Sequence, residues 1–279
     1  MTFLNRRILT ILVVFVLILA ALAFLILPIQ GQDLAVPTEI PILMYHHIVE
    51  PGNPCNAVTV TSDKFETDLK WLQENGYKTI LPSDLIKRKR LPAKVVLLTF
   101  DDGYSSNYEF MFPLLKKYKM KAAVSLIVSL SEKSDAGHLT WDMCREMKRS
   151  GLVEFGSHTY ALHNPELHGN FNPDGVNGIQ RKIGERPEAF ERRVFTDLDK
   201  SKHRMQEELG VSPSFFAYPY GAVEPCAETY IQQNFSMSFT TVPEIADVSQ
   251  SLYQLPRFAV NMDTELKDIL PPDSNETQS

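Results

Sequence analysis

Two adjacent carboxylates, Asp101 and Asp102, end the apolar run Val95–Phe100 (VVLLTF) and are followed by Gly103 and Tyr104. Side-by-side carboxylates repel each other unless a cation, a proton or water absorbs the charge. At the end of a buried strand water is scarce, so the pair points to a bound cation or a perturbed carboxyl. A second group lies in GSHTYALHNP (Gly156–Pro165), where His158 and His163 stand five residues apart. On an α-helix that spacing would turn them about 140° away from each other. On a loop after a strand they can converge, and two imidazoles plus one carboxylate form a common ligand set for a catalytic zinc. On these residues alone, a metal centre and two solvent-facing loop histidines both stay open.

The elements that must position these groups follow from apolar periodicity and helix stop signals. Ile40–Tyr45 (IPILMY) reads as a strand. Ser62–Asn75 reads as a helix with Phe65, Leu69 and Leu72 on one face, capped by Thr61 or Ser62 and stopped by Gly76. Tyr77–Ile80 and Val95–Phe100 are strands, Tyr108–Tyr118 a helix, and Ala122–Val128 a strand. Thr140–Ser150 is a helix ending at Gly151, Val153–Ser157 a strand, and Pro187–Leu209 a long charged helix closed by Gly210. Ser214–Tyr218, Glu224–Gln233 and Ser236–Thr240 continue as strand, helix and strand. This β-α alternation predicts a parallel sheet covered by helices. Such folds collect reactive groups at the C-terminal ends of their strands. His46, Asp101-Asp102, His158 and Tyr218–Gly221 each follow a predicted strand.

The chain of 279 residues carries a net charge of −6, which gives no electrostatic footprint for nucleic acid. Its one basic cluster, Lys87–Arg90, reads as a solvated loop. Arg6 and Arg7 precede the uncharged run Ile8–Ile29, which is long enough to cross a hydrocarbon core of roughly 30 Å. The positive-inside rule then predicts cytoplasmic residues 1–7, a transmembrane signal-anchor at 8–29 and a working domain outside. Ala21-Leu22-Ala23 also fits a signal-peptide cleavage site, but the apolar run continues through Phe24–Leu27, which favours the anchor. The expected location is the cell membrane, single-pass, or the exterior if the segment is cleaved. Residues 30–39 form a stalk, 40–270 the main domain and 271–279 a polar tail. Cys55, Cys144 and Cys226 show no metal spacing, allow one disulfide or none, and read as packing residues.

TFDDGY (Thr99–Tyr104), the His158/His163 pair and FAYPYG (Phe216–Gly221) occur in the order seen in the polysaccharide deacetylases. The chain resembles this NodB-homology family, carbohydrate esterase family 4, from about Ile40 to Asp263. PILMYHHI (Pro41–Ile48) and LPRF (Leu255–Phe258) look like the branch that deacetylates poly-N-acetylglucosamine. The resemblance implies a distorted (β/α) barrel of the NodB-homology type, here preceded by one transmembrane helix. It implies that Asp102, His158 and His163 hold a divalent metal, zinc or else cobalt or nickel. Asp101 would be the general base toward a water, and a backbone N–H near Tyr220 would receive the oxyanion.

Two positions depart from the commoner pattern. The late LxxH histidine is absent, and His46 in MYHH matches the position that supplies the acid in the poly-N-acetylglucosamine branch. An arginine common two residues before the motif's Pro-Tyr-Gly is Ala217 here, and Arg257 is expected to supply that guanidinium from a neighbouring strand end. Tyr104 and Tyr220 are candidates to contact a sugar ring. His138 and His168 read as loop histidines, Trp71 and Trp141 as packing, and Asn164–Arg186 as either a groove rim or a surface loop. The expectation is a membrane-anchored, extracytoplasmic, metal-dependent N-deacetylase acting on N-acetylglucosamine units of an extracellular polysaccharide. Peptidoglycan is the alternative substrate. A carbohydrate-binding homologue without catalysis is a third reading, supported only by Ala217 and the missing histidine.

Overall fold

The computed structural model describes residues 34–133, 137–163 and 178–270. The first strands are β1 (Glu39–Ile40), β2 (Ile42–Tyr45), β3 (His47–Val49) and β4 (Thr59–Thr61), followed by α1 (Ser62–Glu74) and β5 (Lys78–Ile80). A one-turn α2 (Pro82–Ile86) leads to β6 (Val95–Phe100). A π-turn at Asn107–Met111 then runs into α3 (Phe112–Tyr118). Next come β7 (Ala122–Leu126), α4 (Val128–Glu132), α5 (Trp141–Arg149), β8 (Val153–Ser157) and α6 (Pro187–Leu209). The chain ends with β9 (Phe215–Ala217), α7 (Pro225–Asn234), β10 (Met237–Phe239), β11 (Ala246–Asp247), β12 (Phe258–Ala259) and α8 (Leu266–Ile269).

One eight-stranded sheet organises these elements in the order β10-β9-β8-β7-β6-β2-β12, with β5 on the first half of β6. All its pairings are parallel. Every residue of β6 is buried, which explains its unbroken apolar run: both faces are covered, so no polar alternation is needed. The sheet curls into a half-barrel, and a parallel bridge from Phe239 to Leu255 joins its last strand to the segment leading into β12. At that seam Ser238 N–H donates to the Leu252 carbonyl, Leu255 N–H to the Ser238 carbonyl and Thr240 N–H to the Leu255 carbonyl. The seam carries residue 257 across to the end of β6.

Helices cover the sheet through apolar stripes. Phe65, Leu69 and Leu72 of α1 are buried beside Tyr45 and Phe100. On α6, Phe190, Val194 and Leu198 are buried at four-residue spacing and pack with Phe216, Tyr218 and Ile231. Trp71 and Trp141 pack against the main core. Lys87–Arg90 are exposed. Gly76 and Gly210 close α1 and α6 with positive φ, the backbone geometry that glycine adopts without steric cost.

Several expectations need correction. The distorted (β/α) barrel expected is a curled half-barrel whose edges meet through the Leu252–Arg257 segment. The strand predicted over Ala122–Val128 stops at Leu126, because Ile127 is extended and Val128 begins α4. The pairs β3–β4 and β1–β11 and the short β12 are too brief for periodicity to mark. Of the three cysteines only Cys144 is a packing residue; Cys55 and Cys226 are exposed, and none is in a disulfide. No helix among the described residues is long and apolar enough to cross a membrane. The anchor predicted at 8–29 lies outside them, as do the tail at 271–279, His168 and residues 164–177 of the predicted rim.

Gly156 in β8 shows how closely the sheet packs under the site. A Cβ there would lie 2.1 Å from Cε2 of the Phe215 ring. Gly156→Ala is therefore expected to destabilise the fold by about 1–3 kcal/mol through overpacking. Urea unfolding checks this, and an unchanged midpoint would mean that the ring has room to move.

Candidate active site and metal centre

β2, β6, β8 and β9 run parallel, so their C-terminal ends open on one side of the sheet. His46, Asp101, His158 and the Tyr218–Gly221 turn sit at those ends. They surround a cavity of about 340 Å³ lined by Met44, His46, Asp101, Asp102, Tyr104, His138, His158, His163 and Tyr220 among others. Val58, Ile127 and Leu130 complete an apolar portion of its wall. The structure thus brings every sequence-predicted site residue except Arg257 to the cavity surface. Arg257 lies behind it.

Asp101 is buried, and its N–H donates to the Tyr45 carbonyl at 3.0 Å. Arg257, with no exposed surface, meets it in a two-pronged pair, Nη1 to Oδ1 at 2.9 Å and Nη2 to Oδ2 at 2.7 Å. The guanidinium also donates to Thr99 Oγ1 at 3.1 Å and from Nε to the Thr240 carbonyl at 2.8 Å. Burial, the largest single influence, would raise the Asp101 carboxyl, but the charge and hydrogen bonds of Arg257 and the neighbouring imidazoles together outweigh it, and the carboxyl stays well below the usual carboxylate range. Ala217 is buried in the core, and the guanidinium enters from the seam rather than from β9.

Asp102 points elsewhere. Its backbone is left-handed, with φ 72°, a conformation that aspartate tolerates better than most residues. Gly103 follows with φ 74°, and a Cβ on it would strike Leu126 Cδ2 at 2.6 Å, so this turn requires glycine. Asp102 Oδ1 is buried and accepts no hydrogen bond. Facing it are His158 Nε2 at 3.5 Å and His163 Nε2 at 3.2 Å. One ligand atom from each of the three residues lies within 4.8 Å of the others.

The two imidazoles converge because the segment after β8 turns sharply at Thr159, φ 75°. Their ring centroids are 4.6 Å apart. His158 Nδ1 lies 2.8 Å from the Ala217 carbonyl, a contact that assigns the proton to Nδ1 and leaves the Nε2 lone pair facing Asp102. Burial lowers both histidines to about 4, so both are neutral near pH 7, the form that ligates metal. An orphaned carboxylate oxygen facing two neutral, oriented imidazoles is a donor set that fits a divalent cation.

Aromatic rings frame the cavity. Tyr220 is 62% exposed and its ring lies 4.9 Å from that of His163. Its own φ is 57°. Burial first and the nearby Asp102 carboxylate second raise the Tyr104 hydroxyl to about 12. His47 and His138 lie near the Tyr104 ring, at 4.8 and 5.2 Å. His138, expected as a loop histidine, lies on a loop that lines the cavity. Backbone bonds tie its segment to the carboxylate turn, from Ser105 N–H to the Gly137 carbonyl and from Leu139 N–H to that of Gly103. No local pattern around His138 signals this. His46 is half-buried, and its carbonyl accepts from Asn107 Nδ2 at 2.9 Å.

Comparison with known proteins agrees with this geometry. The sequence model of the polysaccharide deacetylase family matches residues 88–237. YxkH of Bacillus subtilis (strain 168), named for the same family, is 32% identical over 231 residues, 81% of this chain and 72% of that protein. The poly-beta-1,6-N-acetyl-D-glucosamine N-deacetylase of Escherichia coli (strain K12) is 28% identical over 250 residues, 81% of this chain but only 37% of that protein's length. The solved structure of IcaB from Ammonifex degensii superposes with a TM-score of 0.68 at 28% identity, covering 81% of this chain and 94% of IcaB.

The buried ion pair yields a direct test. Arg257→Met strands the Asp101 carboxylate without its cation and is expected to cost about 3–5 kcal/mol in urea unfolding. Adding Asp101→Leu removes the stranded charge, so the double variant should be more stable than Arg257→Met alone. A double variant no more stable than the single would show that the charge pair is not what these residues contribute.

Proposed function

The chain belongs to the polysaccharide deacetylase family, and we propose that it is a metal-dependent N-deacetylase of N-acetylglucosamine units in an extracellular polysaccharide. As a family member it is a hydrolase of carbon–nitrogen bonds other than peptide bonds. The observation that carries the finer reading is the division of the two carboxylates, Asp101 on Arg257 and Asp102 on the histidine pair. The names of relatives such as the Escherichia coli enzyme support poly-N-acetylglucosamine as the polymer.

In this reading Asp102, His158 and His163 hold the cation, zinc or else cobalt or nickel. When bound, it supplies Lewis acidity toward the amide carbonyl and lowers the pKa of the attacking water. Asp101 orients that water and takes its proton. The pairing with Arg257 keeps Asp101 ionised but weakly basic, so it suits a water that is already acidic. The water oxygen bonds the carbonyl carbon, and a backbone N–H near Tyr220 stabilises the oxyanion. As the carbon–nitrogen bond breaks, His46 protonates the departing amine, leaving acetate and a glucosamine unit. Ile127 and Leu130 offer the acetyl methyl an apolar wall. Tyr104 and Tyr220 offer the sugar ring their faces.

The uncharged run at 8–29, preceded by Arg6 and Arg7, supports a membrane anchor with the domain at 40–270 outside the cell. Tethering would keep the enzyme beside an envelope polymer. It is tested by expressing the full chain and a chain starting at residue 30. The full chain should sediment with membranes and be digested by protease added to intact cells. Recovery of the full chain as soluble cytoplasmic protein would rule out the anchor.

The catalytic reading is tested by acetate release from N-acetylglucosamine oligomers after chelation and after addition of Zn²⁺ or Co²⁺. Release should stop on chelation, return with metal and vanish in Asp101→Asn. His46→Ala should lower kcat by roughly 10²–10⁴-fold. Release that persists under chelation, or in Asp101→Asn, would overturn it.

A further inference from the structure

The long helix α6 carries a polar stripe that its solvent-exposed charges conceal. Arg193, Asp197 and Ser201 recur at four-residue spacing, so they share one helix face. They flank the buried stripe of Val194 and Leu198. Each of the three reaches the chain around the two metal-facing histidines. Arg193 Nη1 donates to the Gly178 carbonyl, and Gly178 N–H in turn donates to the Leu162 carbonyl at 3.1 Å. Ser201 Oγ lies 2.6 Å from Ser157 Oγ, whose oxygen also accepts from Thr159 N–H at 3.2 Å.

Asp197 makes the central contact. Its Oδ1 accepts from Tyr160 N–H at 2.8 Å and its Oδ2 from Ala161 N–H at 2.9 Å. Both amides lie midway between His158 and His163. These bonds hold a turn that opens with Thr159 at φ 75°, a region in which β-branched residues are strained. Such strain persists only where surrounding contacts over-determine it. On the other side of the turn, Val128 N–H and Ser129 N–H donate to the Thr159 and Tyr160 carbonyls at 3.2 and 2.9 Å. Tyr160 hydroxyl donates to Glu132 at 2.6 Å. The turn is therefore held between α4 and α6, and it sets the 4.6 Å separation of the imidazoles.

We infer that Asp197 is a positioning residue for the metal centre: its carboxylate holds the Tyr160–Ala161 amides so that His158 and His163 face Asp102 together. The inference rests on the metal reading above and adds a residue outside the ligand set. An outer partner of this kind typically tunes metal affinity by 10–100-fold. Asp197→Asn is nearly isosteric but retains one acceptor oxygen and opposes the second amide with its own N–H.

The test is Zn²⁺ and Co²⁺ titration calorimetry on the chelated full-length chain, with unfolding midpoints measured alongside. Asp197→Asn should bind both metals at least tenfold more weakly than the native chain. Asp199→Asn is the control, since Asp199 lies on the same helix but accepts from Tyr230 hydroxyl instead, and it should bind as the native chain does. Native affinity in Asp197→Asn, with or without a lowered midpoint, would overturn the inference and leave the metal reading standing. An equal loss in Asp199→Asn would also overturn it. Failure of the native chain to bind either metal would remove the metal reading and this inference together. Should Asp197→Asn not fold, amide exchange in the native chain decides. Tyr160 and Ala161 amides should exchange slowly and slow further with Zn²⁺, and fast exchange at both would overturn the inference.

Discussion

The Asp101–Arg257 pair is the constraint around which the site is arranged. A fully buried guanidinium is tolerable only if its donors are taken up, and four of its bonds go to Asp101, Thr99 and the Thr240 carbonyl. These partners come from the end of β6 and from the segment just after β10, while Arg257 itself immediately precedes β12. The pair can form only if the sheet curls enough to bring its two edges to the same place. The Phe239–Leu255 bridge is where that happens. Curvature, seam and charge pair are thus one structural fact seen at three scales. Breaking such a pair costs more than forming it gains, so its presence is better understood as fixing the geometry of Asp101 than as stabilising the domain.

The same logic applies to the backbone. Among the described residues, six non-glycine positions have positive φ, and three of them are Asp102, Thr159 and Tyr220. Each sits in the turn that follows a parallel strand: β6, β8 and β9. A strand leaving the sheet would carry its next side chains past the cavity; a left-handed residue turns them back over it. The energetic cost of these conformations is borne by neighbouring contacts, such as Asp197 and α4 around the Thr159 turn. Strain concentrated at the strand ends therefore identifies the functional side of the sheet without reference to any motif.

Much of this was legible in the sequence because it is local. Val95–Phe100 and Val153–Ser157 have the predicted bounds, as does the helix Pro187–Leu209. Continuous apolar runs and a four-residue stripe are strong signals. The carboxylate pair and the two histidines were visible as chemistry out of place. Arg257 was reached only by resemblance, from an arginine missing at Ala217. What could not be read was non-local. His138 enters the cavity through backbone bonds to the carboxylate turn, more than thirty residues away in sequence. Asp197 looks like one more acid on a charged helix until the turn it holds is seen. The seam strands span two or three residues, below the length at which alternation carries information.

The adjacency of Asp101 and Asp102, improbable for buried carboxylates in isolation, follows from these arrangements. Consecutive residues at a strand end project to opposite sides, and the left-handed turn at Asp102 widens the divergence. Asp101 meets a guanidinium that cannot dissociate or lose its proton. Asp102 meets two imidazoles that burial keeps neutral. One carboxylate is therefore compensated by the fold itself, whereas the other faces a donor set that fits a divalent cation. In the proposed reaction this separation is what lets neighbouring residues of the same type do different work. The base holds its charge whether or not metal is bound, and the ligand is free to take up the metal without competition from Arg257. A single carboxylate could not serve both ends, because the cation that would fix it as a ligand would also remove its capacity to accept a proton.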